Sequence, residues 1–166
     1  GWSHGGTDAL LAAEAHPGTF QAVVTWSGAL ELNGASLFAG TSFEDAYAQA
    51  KKEGFYTMTF DWREPLELGE RWFQEVAETN ILKVTADIKA PILAINGKDD
   101  TTVTPDNAEK IVKAAANADS QLLLVDNCDH TYNVFSGDFT ALYQTVDATA
   151  AFFQAQLIPA AAQAAA

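Results

Sequence analysis

The sequence predicts an α/β fold in which parallel strands are flanked by helices. Three apolar runs, at 20–26, 91–96 and 121–125, combine β-branched, aliphatic and aromatic residues with little charge, which is typical of strands buried in a parallel sheet. Segments with helical spacing separate these runs, and this alternation is characteristic of α/β domains. The chain has 166 residues, of which 48% are apolar, enough for one domain with its own core.

The first element of interest is the motif G-x-S-x-G, which carries Ser3. In this motif a serine occupies a sharp, strained turn between a strand and a helix. We expect Gly1, Gly5 and Gly6 to leave room where the turn brings backbone segments close together. A helix is predicted over 5–16, because a Pro-Gly pair follows and ends it.

Residues 31–67 interrupt the alternation and are predicted to form a small helical and β cap insert. A helix should start at Ser42, with Asp45 three residues later in a capping-box-like arrangement, and end at Gly54. A short strand is predicted over 55–60. The insert is rich in aromatic residues, namely Phe38, Phe43, Tyr47, Phe55, Tyr56, Phe60 and Trp62. We expect the insert to cover the functional site, with some of these side chains serving only to pack it onto the body.

The rest of the chain returns to the α/β pattern. Apolar residues at helical spacing predict helices over 70–80, 105–117 and 138–157. Neither an internal repeat nor a long linker divides the sequence. Residues 1–166 are therefore predicted to form one domain into which the cap is inserted.

Charge and composition exclude several classes of partner. The chain has 9 Lys and Arg against 22 Asp and Glu, a formal net charge of −13, which disfavours binding to nucleic acid or to an anionic membrane surface. It has no run apolar enough to span a membrane. A single cysteine, Cys128, excludes an internal disulfide, and the three histidines show no spacing that indicates a metal site. We expect a soluble protein without metal or cofactor, and its compartment stays open.

Three groups near the ends of predicted strands have the chemistry of a nucleophilic site. The hydroxyl of Ser3 becomes a good nucleophile only when a base accepts its proton, and the usual base is a histidine oriented by a carboxylate. Asp100 follows the strand at 91–96, and His130 follows the strand at 121–125. Because open α/β sheets place their sites at the carboxyl ends of strands, these groups are predicted to meet.

The surrounding residues resemble the motifs of α/β-hydrolases of the esterase, dienelactone hydrolase and serine aminopeptidase kind. Such enzymes carry G-x-x-D-x-x-V after an apolar strand, and residues 97–103 read GKDDTTV, which makes Asp100 the triad acid and Asp99 its neighbour. They also place D-H-[TS] after the last strand, and 129–131 read DHT. The chain order serine, acid, histidine agrees. The insert resembles the cap of cinnamoyl and feruloyl esterases.

The resemblance implies the C-terminal part of an α/β-hydrolase sheet and a serine hydrolase that cleaves small-molecule carboxylic esters through an acyl-enzyme. Ser3 would attack, His130 would transfer the proton and Asp100 would orient the imidazole. The backbone N–H of His4 is expected to donate to the oxyanion.

Five residues are predicted to contact the substrate. They are Trp2, Ser27, Phe55, Phe60 and Trp62. The aromatic character of the insert favours an apolar or aromatic acyl group.

Other activities of the same scaffold stay open. A peptidase or a thioesterase would use the same triad. A non-catalytic binding module or an inactive fragment is a further alternative, which three intact triad groups disfavour.

The resemblance also implies structure that these residues do not contain. The G-x-S-x-G turn needs an incoming strand, and the second oxyanion donor comes from a loop after an early strand. Without that incoming strand, the run at 20–26 would present a bare apolar edge. We therefore expect the N-terminal strands to come from an N-terminal half of the fold, either cleaved from a common precursor or separately encoded.

Overall fold

The computed structural model describes residues 1–34, 37–38, 40–61 and 63–157. Its contacts divide the chain into two compact units. The first combines residues 1–30 with the residues from 81 onward, and the second is formed by residues 31–80.

The secondary structure alternates between strands and helices. The helices are α1 (His4–Ala15), α2 (Phe43–Glu53), α3 (Glu70–Glu78), α4 (Ile81–Asp87), α5 (Asp106–Ala114) and α6 (Thr140–Leu157). The strands are β1 (Val23–Trp26), β2 (Phe55–Met58), β3 (Leu66–Gly69), β4 (Ile92–Gly97) and β5 (Gln121–Val125). Among these, β3 and α4 were not predicted from the sequence.

The first unit is built on a parallel sheet with the strand order β1-β4-β5. Val23 pairs with Ile92 and Leu93 pairs with Gln121, so the three strands end at the same edge of the sheet. Helices of this unit pack against the sheet, which confirms the predicted α/β class with parallel strands flanked by helices.

Residues 1–3 extend this sheet on the outer side of β1. Trp2 forms a parallel bridge with Trp26. The N–H of Trp26 donates to the C=O of Gly1 at 2.8 Å, and the N–H of Ser3 donates to the C=O of Trp26 at 2.8 Å. The serine is therefore attached directly to the end of β1.

The core of the first unit lies on the two faces of the sheet. Residues of the central strand β4 alternate between the faces, with Ile92 and Ala94 in one cluster and Leu93 and Ile95 in the other. Every residue of β4 is buried, which explains its continuous apolar sequence.

The strand β5 differs from its prediction as a buried strand. Gln121 and Leu122 are exposed, and only Val125 is fully buried. The reason is position, because β5 forms an edge of the three-stranded sheet and only its last residues reach the core beneath α6.

The second unit contains α2, the antiparallel pair β2–β3 and α3. Ser42 caps α2 as predicted, since its Oγ accepts from the N–H of Asp45 at 3.0 Å, and Gly54 ends the helix with φ 91°. The aromatic core centres on Phe73 of α3, whose ring stacks on that of Tyr47 at 5.5 Å. Because α3 packs into this core, the second unit extends to residue 80, beyond residue 67, where the insert was predicted to end.

Within the described residues, none of the helices combines the length and the apolar character needed to cross a membrane.

Candidate active site

Ser3 stands on a sharp turn between the sheet and α1. It precedes the helix with φ 53° and ψ −123°, a backbone conformation that costs a non-glycine residue about 1–3 kcal/mol. The C=O of Ser3 accepts from the N–H of Gly6 at 2.9 Å and from that of Ala29 at 3.4 Å, while its own N–H is bound to Trp26. These contacts on both sides of the residue hold the strained conformation in place.

Close backbone contacts explain two of the three glycines in and directly after the motif. A Cβ on Gly1 would lie 1.9 Å from the carbonyl oxygen of Gly5, and a Cβ on Gly6 would lie 2.8 Å from the Cα of Gly28. Nothing lies within 4 Å of a Cβ built on Gly5. The expectation that the missing side chain of Gly5 leaves room is therefore wrong. The missing side chain of Gly1 makes room for the carbonyl of Gly5.

The structure brings Ser3, His130 and Asp100 into one hydrogen-bonded chain. The Nε2 of His130 lies 3.0 Å from the Oγ of Ser3, and its Nδ1 lies 2.8 Å from the Oδ2 of Asp100. An ionised carboxylate only accepts hydrogen bonds, so Nδ1 is assigned the proton and Nε2 is left to accept from the serine hydroxyl. This is the tautomer in which an imidazole can act as a base toward the serine.

Asp100 is buried and well supplied with donors. Its Oδ1 accepts from the N–H of Thr102 at 2.9 Å and of Val103 at 2.8 Å, and its Oδ2 accepts from the Nδ2 of Asn96 at 3.3 Å. Burial by itself raises the pKa of Asp100, but the hydrogen bonds from His130 and Val103 outweigh it, so the pKa is lowered from its usual value. The carboxylate is thus kept ionised beside the imidazole.

The neighbouring Asp99 has a different role in the structure. Its side chain is exposed, and its backbone N–H donates to the C=O of Cys128 at 3.0 Å. Of the two neighbouring aspartates, it is Asp100 whose side chain bonds His130.

Asn96 supports the acid and was missed in the sequence. It is fully buried at the end of β4, and its Nδ2 also donates to the C=O of Val103 at 2.9 Å. Its two acceptors, the Oδ2 of Asp100 and the C=O of Val103, are both oxygens, so the amide is oriented with its nitrogen toward them. The signal that could have revealed it is a polar residue closing an apolar strand directly before the acid loop.

Tyr132 also escaped prediction. It is 2% exposed, and its hydroxyl donates to the C=O of Ile95 at 3.3 Å. Burial raises the pKa of Tyr132 well above its usual value, so the phenol stays neutral. Burial likewise raises the pKa of the nearby Cys128 thiol to about 11, which makes it a packing residue rather than a nucleophile.

The predicted substrate contacts lie in different surroundings. The side chain of Ser27 is fully buried, with its hydroxyl 3.3 Å from that of Tyr132, so it faces the interior of the first unit rather than a surface open to substrate. Phe55 and Phe60 belong to the second unit, where Phe60 packs against the aromatic cluster. Trp62 lies outside the described residues.

Trp2 and His4 lie on either side of the nucleophile. Trp2 is 46% exposed, and its Nε1–H donates to the backbone C=O of His130 at 2.9 Å. His4 is the first residue of α1, so its backbone N–H belongs to the first helical turn beside Ser3. The imidazole of His4 points elsewhere, with its Nε2 3.6 Å from the Oδ1 of Asp8.

An apolar cavity of about 340 Å³ lies next to these residues. It is lined by Trp2, Trp26, Thr131, Tyr132, Val134, Phe135 and Leu142. Phe135 is 88% exposed at its border.

Comparisons with known proteins identify a family and a fold for this chain. The family model described as the prolyl oligopeptidase family matches residues 1–158. Among curated proteins, no sequence matches this chain. Many solved structures do match, and this likeness shows a common fold.

Three of these structures illustrate the likeness. Est1E from Butyrivibrio proteoclasticus, solved with ferulic acid bound, has a TM-score of 0.71 and 18% identity over 96% of this chain and 59% of its own. The monoacylglycerol lipase of Paleococcus ferrophilus has a TM-score of 0.62 and 19% identity over 78% of this chain and 58% of its own. A puromycin-hydrolysing peptidase from Mycobacterium tuberculosis has a TM-score of 0.61 and 21% identity over 95% of this chain and 21% of its own.

This chain therefore spans less than two thirds of the length of the structures it resembles.

Proposed function

The chain belongs to the prolyl oligopeptidase family and has the α/β-hydrolase fold, and from this premise we propose that it carries the triad of a serine hydrolase acting on carboxylic esters. The observation that carries the proposal is the chain of two hydrogen bonds, 3.0 Å from Ser3 Oγ to His130 Nε2 and 2.8 Å from His130 Nδ1 to Asp100 Oδ2. Nucleophile, base and orienting acid are within reach of one another, as acyl transfer requires.

Acylation begins when the Oγ of Ser3 attacks the ester carbonyl carbon. The Nε2 of His130 accepts the hydroxyl proton, and the carbonyl electron pair moves onto the oxygen to give a tetrahedral oxyanion. The backbone N–H of His4 donates to that oxyanion at the start of α1. When the intermediate collapses, the C–O bond breaks, His130 returns the proton to the departing alcohol, and the acyl group stays on Ser3.

Deacylation repeats these steps with water as the nucleophile. His130 accepts a proton from water, the second tetrahedral intermediate forms on the same carbon, and its collapse releases the carboxylic acid and restores Ser3. In both steps Asp100 stabilises the imidazolium, and its lowered pKa keeps the negative charge in place for this purpose.

Esters are the preferred substrate class because one similar structure is a monoacylglycerol lipase and another binds ferulic acid, a carboxylic acid such as ester hydrolysis releases. Peptide bond hydrolysis is the second candidate, favoured by the family description and by the puromycin-hydrolysing peptidase. A comparison of kcat/KM for p-nitrophenyl esters and for aminoacyl p-nitroanilides separates the two. A higher value for the anilides would replace the ester proposal with the peptidase.

The triad itself is tested with a fluorophosphonate probe, which reacts with activated serines. We expect the natural protein to be labelled on Ser3 and the Ser3→Ala variant to be unlabelled. Absence of labelling in the natural protein would instead favour a non-catalytic binding module or an inactive fragment.

We also propose that an N-terminal portion of the same fold, as a separate or cleaved chain, completes the sheet beside residues 1–3. Three observations support it. This chain covers less than two thirds of the first similar structures, Trp2 forms a single sheet bridge on the outer side of β1, and the apolar side chains of Trp2 and Phe135 beside the cavity are exposed. A folded, active and monomeric protein made of these 166 residues alone would contradict the proposal.

The cap stays a proposal as well. Phe55, Phe60 and Trp62 of the insert are proposed to contact the acyl group. Substitution of each by Ala should raise KM for an aromatic ester more than for an acetyl ester, because only the larger acyl group would lose apolar contact.

A further inference from the structure

The loop that carries His130 has its shape fixed by its own hydrogen bonds. The Oδ1 of Asp129 accepts from the N–H of Thr131 at 2.8 Å and from the N–H of Asn133 at 2.9 Å. The side-chain amide of Asn133 donates to the C=O of Asn127 at 2.6 Å. Non-glycine residues of this loop adopt positive φ, which such bonds must maintain. These bonds define the loop but do not place it relative to the nucleophile.

One side of the loop is attached to the acid. The N–H of Asp99 donates to the C=O of Cys128 at 3.0 Å. A Cβ on Gly97 would lie 2.1 Å from that same carbonyl oxygen, so the end of β4 and the loop are in direct backbone contact. This side of the loop is thus joined to the end of β4 next to Asp100.

The other side of the loop is attached to the nucleophile turn by Trp2. The indole Nε1–H donates to the backbone C=O of His130 at 2.9 Å, and the two rings lie with their centroids 5.3 Å apart at an angle of 39°. Trp2 directly precedes Ser3 and pairs with β1 through Trp26. A movement of the nucleophile turn is therefore transmitted to the main chain of the base.

We infer that Trp2 is a positioning residue of the triad, which acts through the main chain of His130 and holds its Nε2 within hydrogen-bonding distance of Ser3. The inference rests on the proposed function for the roles of His130 and Ser3. It gives Trp2 a task in the chemical step, where the sequence predicted contact with the substrate. The two roles differ in the kinetic constant that they control.

Trp26 is a matched control within the same structure. Its indole Nε1–H also donates over 2.9 Å, but to the Oγ1 of Thr149 on α6. Trp2 and Trp26 face each other across the sheet bridge. Substitution of either by Phe removes one indole hydrogen bond and part of one ring, and only the substitution at Trp2 removes a bond to His130.

The kinetic experiment measures kcat and KM with a p-nitrophenyl ester for the intact protein, Trp2→Phe and Trp26→Phe. We expect Trp2→Phe to lower kcat about tenfold with KM within about twofold of the original value, because one hydrogen bond that sets the geometry of the base is lost. Trp26→Phe should lower kcat less than Trp2→Phe does, because the bond to His130 is kept. Equal losses in both variants, or a raised KM with unchanged kcat in Trp2→Phe, would overturn the inference.

Replacement of Trp2 by benzothienylalanine covers the case in which Phe packs too poorly to fold. This residue keeps the bicyclic ring and has sulfur in place of the N–H, so it removes the hydrogen bond alone. The same fall in kcat is expected, and an unchanged kcat would contradict the assignment of the N–H to positioning.

Proton NMR of the histidine ring separates this inference from the proposed function. The Nδ1–H that binds Asp100 should exchange with water faster in Trp2→Phe than in the intact protein and in Trp26→Phe, whether or not any ester is hydrolysed. Faster exchange in a protein without esterase activity would keep the positioning role and reject the ester hydrolase. Unchanged exchange in an active protein would reject the positioning role and keep the hydrolase.

Discussion

The acid end and the nucleophile end of the candidate triad are held in place by different means. Asp100 is held by side-chain hydrogen bonds, since its two oxygens accept from His130, Asn96 and the N–H groups of Thr102 and Val103. Ser3 is held by the backbone, through a strained φ of 53° and main-chain hydrogen bonds on both sides of the residue.

This difference predicts that substitutions at the two ends will lower different properties of the protein. At the acid end, donors can be removed one at a time, and each loss should weaken the chemistry while the fold persists. At the nucleophile end the constraint is steric, so an added atom should disturb the packing of the turn and lower stability. The predictions below test this contrast, beginning with the largest effect.

The largest effect is expected from Asp100→Asn. An amide would no longer stabilise the imidazolium, and its NH₂ group would favour the wrong tautomer of His130, so kcat should fall about 10³–10⁴-fold. The measurement is kcat with a p-nitrophenyl ester. Asp99→Asn is the control and should stay close to the original rate, because the Asp99 side chain is exposed. A greater loss in the Asp99 variant would move the triad acid by one residue.

The second prediction concerns the steric end. Gly6→Ala would place a Cβ 2.8 Å from the Cα of Gly28, which has no flexible side chain to give way, so the free energy of unfolding should fall by about 2–3 kcal/mol. Gly5→Ala is the matched control, since nothing lies within 4 Å of its Cβ and alanine favours a helix by up to about 1 kcal/mol. Urea unfolding measures both. Equal destabilisation would show that the turn is not limited by this contact.

The contrast between the ends also explains what could be predicted from the sequence. The strand-end location of Ser3, Asp100 and His130 follows from local patterns, because buried parallel strands have continuous apolar sequences and their ends share one edge of the sheet. Helix caps such as Ser42 and Gly54 are equally local. These features are encoded within a few residues of the chain.

Features that depend on distant packing were not predicted. The exposure of Leu122 depends on which strand ends the sheet, and the burial of Ser27 depends on Tyr132, which is 105 residues away in the chain. The support of Asp100 by Asn96 depends on how the acid loop folds back over β4. Likewise, the local sequence of α3 does not reveal that its Phe73 packs in the aromatic cluster of the second unit.

The third prediction removes one donor from the acid end. Asn96→Ala takes away the amide that binds Asp100 and leaves the C=O of Val103 without this donor, so kcat should fall about tenfold and stability by about 1–2 kcal/mol. Asn117→Ala is the control, because its Nδ2 donates over the same 2.9 Å to the C=O of Lys89 on the exposed surface. Its kcat should be unchanged. A similar loss of kcat in both variants would remove Asn96 from the support of the acid.

The smallest effect is a pH dependence of stability, which tests whether hydrogen bonds or burial prevail at the acid end. The pKa of Asp100 is lowered from the ordinary value of 3.8, because donors to its carboxylate outweigh the opposing effect of burial. The folded state therefore binds a proton less readily than the unfolded state. The ionised group contributes stability that is fully present above the ordinary pKa and is lost as the pH falls through the lowered one.

Asp100→Asn lacks this contribution, whereas the other carboxyl groups titrate in both proteins. The difference in unfolding free energy between the original chain and Asp100→Asn should shrink as the pH falls below the ordinary carboxyl pKa, through the lowered pKa of Asp100. Urea unfolding at a series of pH values gives this difference directly. A difference that grows in favour of the original chain on acidification would mean that burial prevails and the pKa is raised. The acid end would then be strained in its charged form, and the contrast with the strained nucleophile turn would disappear.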